Sequence, residues 1–361
     1  MSSLYQFVYL IIVTIILFQV LKKPAISLNI GNNNVPVSSL CVIMIILLVV
    51  FIGLRPRSVG ADTSQYMDVY GFLKGVSYVY DSESENIIFN NLMRFVGSLN
   101  LDVSWLFSIM ATIYFGCMYM ACRKLFSDNQ QIAFFSYLIA FSTYSYGVNG
   151  MKAGAAASVF LVALAYKDKL WLSVILALIS LGIHHSMIMV VYAYIVAFIF
   201  RKTKWYFIGW LFCLFIAAAH IGYFQTLFAS FADESGASYL LAKGDIAYVT
   251  GFRLDFILYS AAPVAIGYYV LFKCNLRNSI YELWLRMYLL TNSIWMLCMY
   301  ASFTNRIAYL SWFLLPILTL YPFYAMSGVP NRLSIGRKVA AGQAYFTLFM
   351  SFIYYGLVNL I

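Results

Sequence analysis

The sequence predicts an all-α integral membrane protein, a polytopic bundle of about twelve transmembrane helices. Three observations lead there: 63% of the 361 residues are hydrophobic, only 10% are charged, and apolar runs recur along the whole chain. A soluble domain carries roughly 25% charged residues. With so few charges and a mean hydropathy of +0.83, disorder, a collagen-like repeat, a disulfide scaffold and a soluble enzyme are excluded.

A spanning helix needs roughly 20 apolar residues. The first run, 4–21, has no basic residue ahead of it and is followed by Lys22 and Lys23. It therefore reads as a retained span rather than a cleaved signal peptide. The second run, 37–54, leads into a first outer loop at 55–101. Within that loop, 87–98 places Ile88, Leu92, Phe95 and Val96 on one helical face and Asn90, Asn91 and Arg94 on others. That is the pattern of an amphipathic or re-entrant helix. Runs at 103–122, 131–147, 153–166, 170–184, 186–200 and 205–222 follow, and a second outer loop covers 223–253. The last four runs are 254–272, 280–300, 307–325 and 343–360, so 1–361 reads as a single transmembrane domain.

Loop charges orient the bundle. The net charge of +10 comes from basic pairs and triplets between runs, with no aromatic–basic stripe, so nucleic acid is not an expected partner. With the N-terminus outside, 14 of the 23 basic residues fall in inner loops: Lys22, Lys23; Arg123, Lys124; Lys167, Lys169; Arg201, Lys202, Lys204; Lys273, Arg277; Arg332, Arg337, Lys338. Both termini should then face outward. Glu282 and Arg286, four apart near an inner span end, suit a structural i,i+4 pair. The six cysteines show no CxxC spacing and read as small core hydrophobes, and no histidine pattern suggests a metal.

The outer face holds the chemistry. Arg55 and Arg57 directly follow a span on the side where the charge rule disfavours them. They read either as snorkelling residues or as an anion site, because arginine presents donor pairs that match phosphate oxygens. The same face receives Asp62, Lys152, His184 and His185, Arg253 and Asp255, and Arg306. Cations with carboxylates and an imidazole suit a phosphate-linked substrate undergoing proton transfer. His184 and His185 are adjacent and point about 100° apart in a helix, which does not suit joint metal chelation. His220 reads as an interfacial histidine. Tyr66, and Tyr239 and Tyr248 in the second loop, are candidates for stacking on sugar rings.

LRPRSVGADTSQY, VNGMKAGAAASVFLVALAY, SLGIHHSMIM, GFRLDF and SFTNRIAYLSWFLLP follow one another from about 50 to 320. In that order they resemble the EpsG-like group of bacterial polysaccharide polymerases, of the Wzy type. The resemblance implies a fold like the C-type membrane glycosyltransferases, with short periplasmic loop helices. It implies action at the periplasmic face of the bacterial inner membrane on undecaprenyl-diphosphate-linked oligosaccharide repeats, without a cofactor or nucleotide sugar. The growing glycan moves onto a newly delivered repeat and undecaprenyl diphosphate leaves. A Wzz-type chain-length regulator is the partner the resemblance suggests, beside membrane lipid. The family pattern falls on Arg55, Gly60, Asp62 and Tyr66, on His184 and Ser186, and on Asn305 and Arg306. Where the family has Asn-x-x-Arg-Gln, this chain has Asn149-Gly150-Met151-Lys152-Ala153, which keeps the charge and loses the fork.

Such a reaction needs a cationic clamp for the diphosphate and a base for the attacking hydroxyl. Arg55, Arg57, Lys152, Arg253 and Arg306 are the expected clamp. Asp62 or His184 is the expected base, with Asp255 the third candidate. An O-antigen ligase-type enzyme shares these needs, and a lipid-linked oligosaccharide flippase is the alternative from another class. The gathering of cations at one face favours an enzyme.

Overall fold

The structure is a computed structural model that describes residues 2–22, 28–30, 33–35, 37–221, 223–224, 251–301 and 304–357. Among these the regular structure is helical apart from one small antiparallel hairpin, β1 (Leu28–Ile30) and β2 (Asn33–Val35), with Leu28 opposite Val35. In chain order the helices are α1 (Ser2–Lys22), α2 (Val37–Gly53), α3 (Thr63–Leu73), α4 (Ile87–Ser98), α5 (Val103–Phe126), α6 (Gln130–Leu138), α7 (Thr143–Val148) and α8 (Met151–Ala165). Then come α9 (Leu170–Ile183), α10 (Met187–Ile199), α11 (Thr203–Ala218), α12 (Leu254–Tyr268), α13 (Ser279–Leu297), α14 (Thr304–Trp312), α15 (Leu315–Tyr324) and α16 (Arg332–Leu348).

Among the described residues each of the twelve apolar runs is largely helical, so the helical membrane class holds, but the runs are not twelve uniform spans. The 131–147 run breaks between α6 and α7. Thr143 donates its hydroxyl to Tyr137 O at 2.7 Å, which satisfies a carbonyl at the end of α6, and its amide to Ala140 O at 2.9 Å in the turn that follows. The 307–325 run splits into α14 and α15, with Pro316 in the first turn of α15, where a helix N–H has no partner in any case. The last helix starts at Arg332, earlier than hydropathy alone suggests. By length and composition, four helical stretches among the described residues can cross a membrane: Ser3–Lys22, Val103–Leu138, Leu254–Lys273 and Thr304–Tyr324. The 14 residues of α9 rise only about 21 Å, short of a hydrocarbon core of roughly 30 Å. A count of twelve spans therefore does not follow from helix length.

The chain divides into two compact units, residues 1–184 with 323–325 and 331–361, and residues 185–322 with 326–330. The first is built on α8, all of which is buried except Lys152 and Ala153. Its small residues let α5 approach closely: a Cβ on Gly154 would lie 2.9 Å from Tyr146 O and 3.3 Å from the Tyr114 ring. In the second unit α13 is the central helix, packed against α10, α11, α12 and α14. Asn292, fully buried on α13, accepts from Trp210 Nε1 at 2.8 Å and donates to the hydroxyls of Ser260 and Ser311. A buried amide satisfied on every side fixes the register of these helices.

The Glu282–Arg286 pair forms, at 3.7 Å. Arg286 also donates to Ala197 O at 3.0 Å, Arg201 O at 3.3 Å and Thr203 Oγ1 at 3.0 Å, so it caps the end of α10 and clamps it to α11. All six cysteines are free thiols, buried or half-buried.

Candidate functional site

In the first unit three sequence motifs meet around α4. The loop after α2 turns through Gly60, whose φ of +87° is the left-handed region that favours glycine. A Cβ there would press on Val148 and lie 2.6 Å from Asn149 Oδ1. The next amide, Ala61 N, donates to Asn149 Oδ1 at 2.8 Å. The GAD and NGMK motifs are therefore one structural feature, the turn of the first held by the side chain of the second.

Arg55 is the inner tie of this feature. It is 2% exposed, and its Nε donates to Thr63 Oγ1 at 3.0 Å and its Nη1 to Ile52 O at 3.0 Å. Its Nη2 reaches Val148 O at 3.4 Å and Met151 Sδ at 3.7 Å, and its carbon lies 3.8 Å from the centre of the Phe107 ring. Burial pushes its pKa down to about 10, which still leaves it charged at neutral pH. The expectation that Arg55 grips phosphate meets a physical obstacle, because its fork is taken up by the protein. Arg57, two residues on, is exposed and ion-paired with Asp68 at 2.7 Å.

Asp62 stands at the N-cap of α3 without a capping hydrogen bond from its side chain. One turn on, the Tyr66 ring meets the Phe89 ring of α4 edge-on at 6.0 Å. Lys152, in the first turn of α8, places its ammonium 5.5 Å from the centre of the same Phe89 ring. His184 ends α9, and its Nδ1 lies 3.2 Å from Oδ1 of Asn86, one turn before Phe89. An amide oxygen only accepts, so Nδ1 of the neutral ring carries the proton and Nε2 is the basic nitrogen. Asn86 is 7% exposed and occupies the N-cap of α4, yet its side chain makes no capping bond and faces the histidine instead. Tyr66, Lys152 and His184 are thus gathered by Asn86 and Phe89, two residues that sequence reasoning did not single out, with Asp62 one turn before Tyr66. The signal for Asn86 was its place just ahead of an amphipathic segment, where asparagine is a favoured cap. Phe89 was hidden among thirty phenylalanines.

In the second unit, Arg253 and Asp255 form a two-bond pair, Nε to Oδ1 at 2.9 Å and Nη2 to Oδ2 at 2.6 Å. The Arg253 carbon lies 3.6 Å from the centre of the Phe256 ring. Both Asp255 oxygens hold the arginine. Arg306 is exposed in the first turn of α14. His220, also exposed, stacks on Tyr300 with ring centres 3.9 Å apart. Tyr239 and Tyr248, with most of the 223–253 loop, lie outside the described residues. Among the described residues, no three His, Cys, Asp or Glu side chains gather in a metal-binding group.

The model of one family, described as the EpsG family, matches residues 38–360. No curated protein and no solved structure matches the chain.

Proposed function

Because the chain belongs to the EpsG family, we propose that it is a membrane glycosyltransferase of the polysaccharide-polymerase type. It works on undecaprenyl-diphosphate-linked repeats at the outer face of a bacterial inner membrane, with both termini on that face. A hydroxyl at the non-reducing end of the incoming repeat attacks the anomeric carbon of the growing glycan. The new C–O bond forms as the bond to the lipid diphosphate breaks. The hydroxyl proton passes to a base, the electron pair leaves with the diphosphate, and the anomeric centre inverts.

The observation that carries this reading is the gathering of Tyr66, Lys152 and His184 around Asn86 and Phe89. It sets a cation, a candidate base and an aromatic ring together in one unit, with Asp62, the second candidate base, at the start of the helix that carries Tyr66. Lys152 supplies positive charge for the leaving diphosphate, and Tyr66, set against the buried Phe89, presents its ring to a sugar. His184, oriented through Nδ1 by Asn86, presents Nε2 as base, with Asp62 the second candidate. Arg57 joins the clamp, since an exposed ion pair is worth about 0–1 kcal/mol and a diphosphate can displace Asp68. Within the second unit, Arg253, oriented by Asp255, and Arg306 are candidate anion ligands. Arg55 positions the loop.

The test is purified protein in detergent with lipid-linked repeat units, read as new glycosidic bonds. Chain growth that falls with Lys152→Ala and loses the acid limb of its pH–rate profile in His184→Ala supports the assignment. Loss of that limb in Asp62→Asn instead moves the base to Asp62. Protein that forms no glycosidic bond but carries the lipid-linked repeat across a vesicle overturns the enzyme reading in favour of a flippase.

A further inference from the structure

The α3–α4 segment has a second apolar face that is exposed among the described residues. On α4, Phe89, Met93 and Val96 are buried. A separate stripe runs through Ile88, Leu92, Phe95 and Leu99, at i, i+4, i+7 and i+11, with Phe95 50% and Leu99 54% exposed. On α3 and the stretch after it, Phe72 is 82% exposed, Val79 66% and Tyr80 58%. These groups form a patch, since Tyr78 and Phe95 meet ring-edge to ring-face at 6.0 Å. The polar groups of the hairpin are drawn off to residues 81–84. Arg94 pairs with Asp81 at 2.9 Å, Asn91 exchanges two 2.8 Å hydrogen bonds with the Asp81 backbone, and Asn90 donates to Ser84.

The flanking helices say what covers the patch. The α4 helix joins α5, the start of a membrane-crossing stretch, through residues 99–102 alone. The end of α2 packs there as well, because a Cβ on Gly53 would press into Ser108 of α5. Trp105, in the first turn of α5, is 56% exposed, and exposed tryptophan and tyrosine mark headgroup depth at the ends of spans. Both ends of the hairpin are thus tethered at the level where hydrocarbon gives way to headgroups. An apolar face with aromatic rims at that depth matches interfacial helices, and it is far too apolar to face water.

We propose that α3 and α4 form an interfacial anchor. Their outward face, centred on Phe72, Val79, Phe95 and Leu99, rests in the headgroup–acyl boundary of the leaflet at this end of the bundle, and the inward face carries Phe89. This assignment does not depend on the reaction. The full-length protein is placed in phosphatidylethanolamine–phosphatidylglycerol nanodiscs with a nitroxide on Phe72→Cys or Phe95→Cys, and on Glu83→Cys as the water-facing control. Unsubstituted protein measures labelling of the native thiols. Relaxation by oxygen is compared with relaxation by a nickel chelate. The expected result is oxygen-dominated relaxation at 72 and 95 and nickel-dominated relaxation at 83. Nickel dominance at 72 and 95 places the face in water and overturns the proposal. Weak relaxation by both reagents places it under protein, a second copy for instance, and overturns it too. Labels at Val79 and Leu99 repeat the measurement should either phenylalanine variant fail to fold.

Discussion

At the scale of single residues, Arg55 and Arg57 show how far spacing can be read. Two residues apart, they look alike in the sequence as cations at a span end. One is buried with its guanidinium spent on Thr63, Ile52 and Val148, and the other is exposed beside Asp68. No local pattern separates them, because Arg55's partners come from 93 and 96 residues away as well as from its own turn. The consequence is a specific expectation for Arg55→Lys. Lysine keeps the charge but cannot reproduce a planar fork. Hydrogen bonds to a charged group are worth about 1.5–3 kcal/mol each, and the variant loses the net of about one to two of them. The thermal unfolding midpoint in detergent should fall clearly, with catalysis per folded molecule changing less. A variant with wild-type melting and no turnover would instead return Arg55 to the diphosphate clamp.

At the scale of elements, hydropathy located the apolar helices among the described residues and the amphipathic segment at 87–98, but it missed α3 in the first outer loop and blurred helix ends. Hydropathy counts side chains, whereas helix ends are set by hydrogen bonds such as that of Thr143 to Tyr137 O. The start of α5 is one such end. Asp102 accepts from Ser104 N at 2.9 Å, which satisfies one of the unpaired amides of the first turn. This bond, and the field of Lys74, hold its carboxyl below the ordinary carboxylate value. A carboxylate with a lowered folded-state pKa stabilises fully above its unfolded value, about 3.9 for aspartate, and loses that contribution as pH falls through the lowered one. Asp102→Ala should therefore cost about 1 kcal/mol at neutral pH. The gap between variant and wild-type melting should close as the pH drops below the ordinary aspartate range. A gap that persists unchanged into strong acid would mean that packing around residue 102, not its charge, is what the substitution disturbs.

At the scale of the whole molecule, charge and helix length give different accounts of the membrane topology, and the difference can be measured. Twelve crossings with an outward N-terminus put all six basic clusters inside, as the positive-inside rule requires. They also put Asp62 outside and Asp168, in the turn between α8 and α9, inside. If only the four stretches of full spanning length crossed, the same outward start would reverse both positions, leaving Asp62 inside and Asp168 outside. The termini cannot distinguish these cases, since both counts are even. The charge pattern favours twelve because a short apolar helix such as α9 can be accommodated by local thinning of the bilayer, at fractions of a kcal/mol per Å. Leaving Leu170, Trp171 and Leu178 in water, each more than 60% exposed, would forfeit roughly 1.5–3 kcal/mol for each side chain. Intact cells carrying Asp62→Cys or Asp168→Cys, treated with a membrane-impermeant maleimide, should label at 62 and stay unlabelled at 168 until the cells are opened. The reverse pattern would place the Phe89 cluster on the cytoplasmic side, where a polymerase drawing on outward-facing lipid-linked repeats could not reach its substrate.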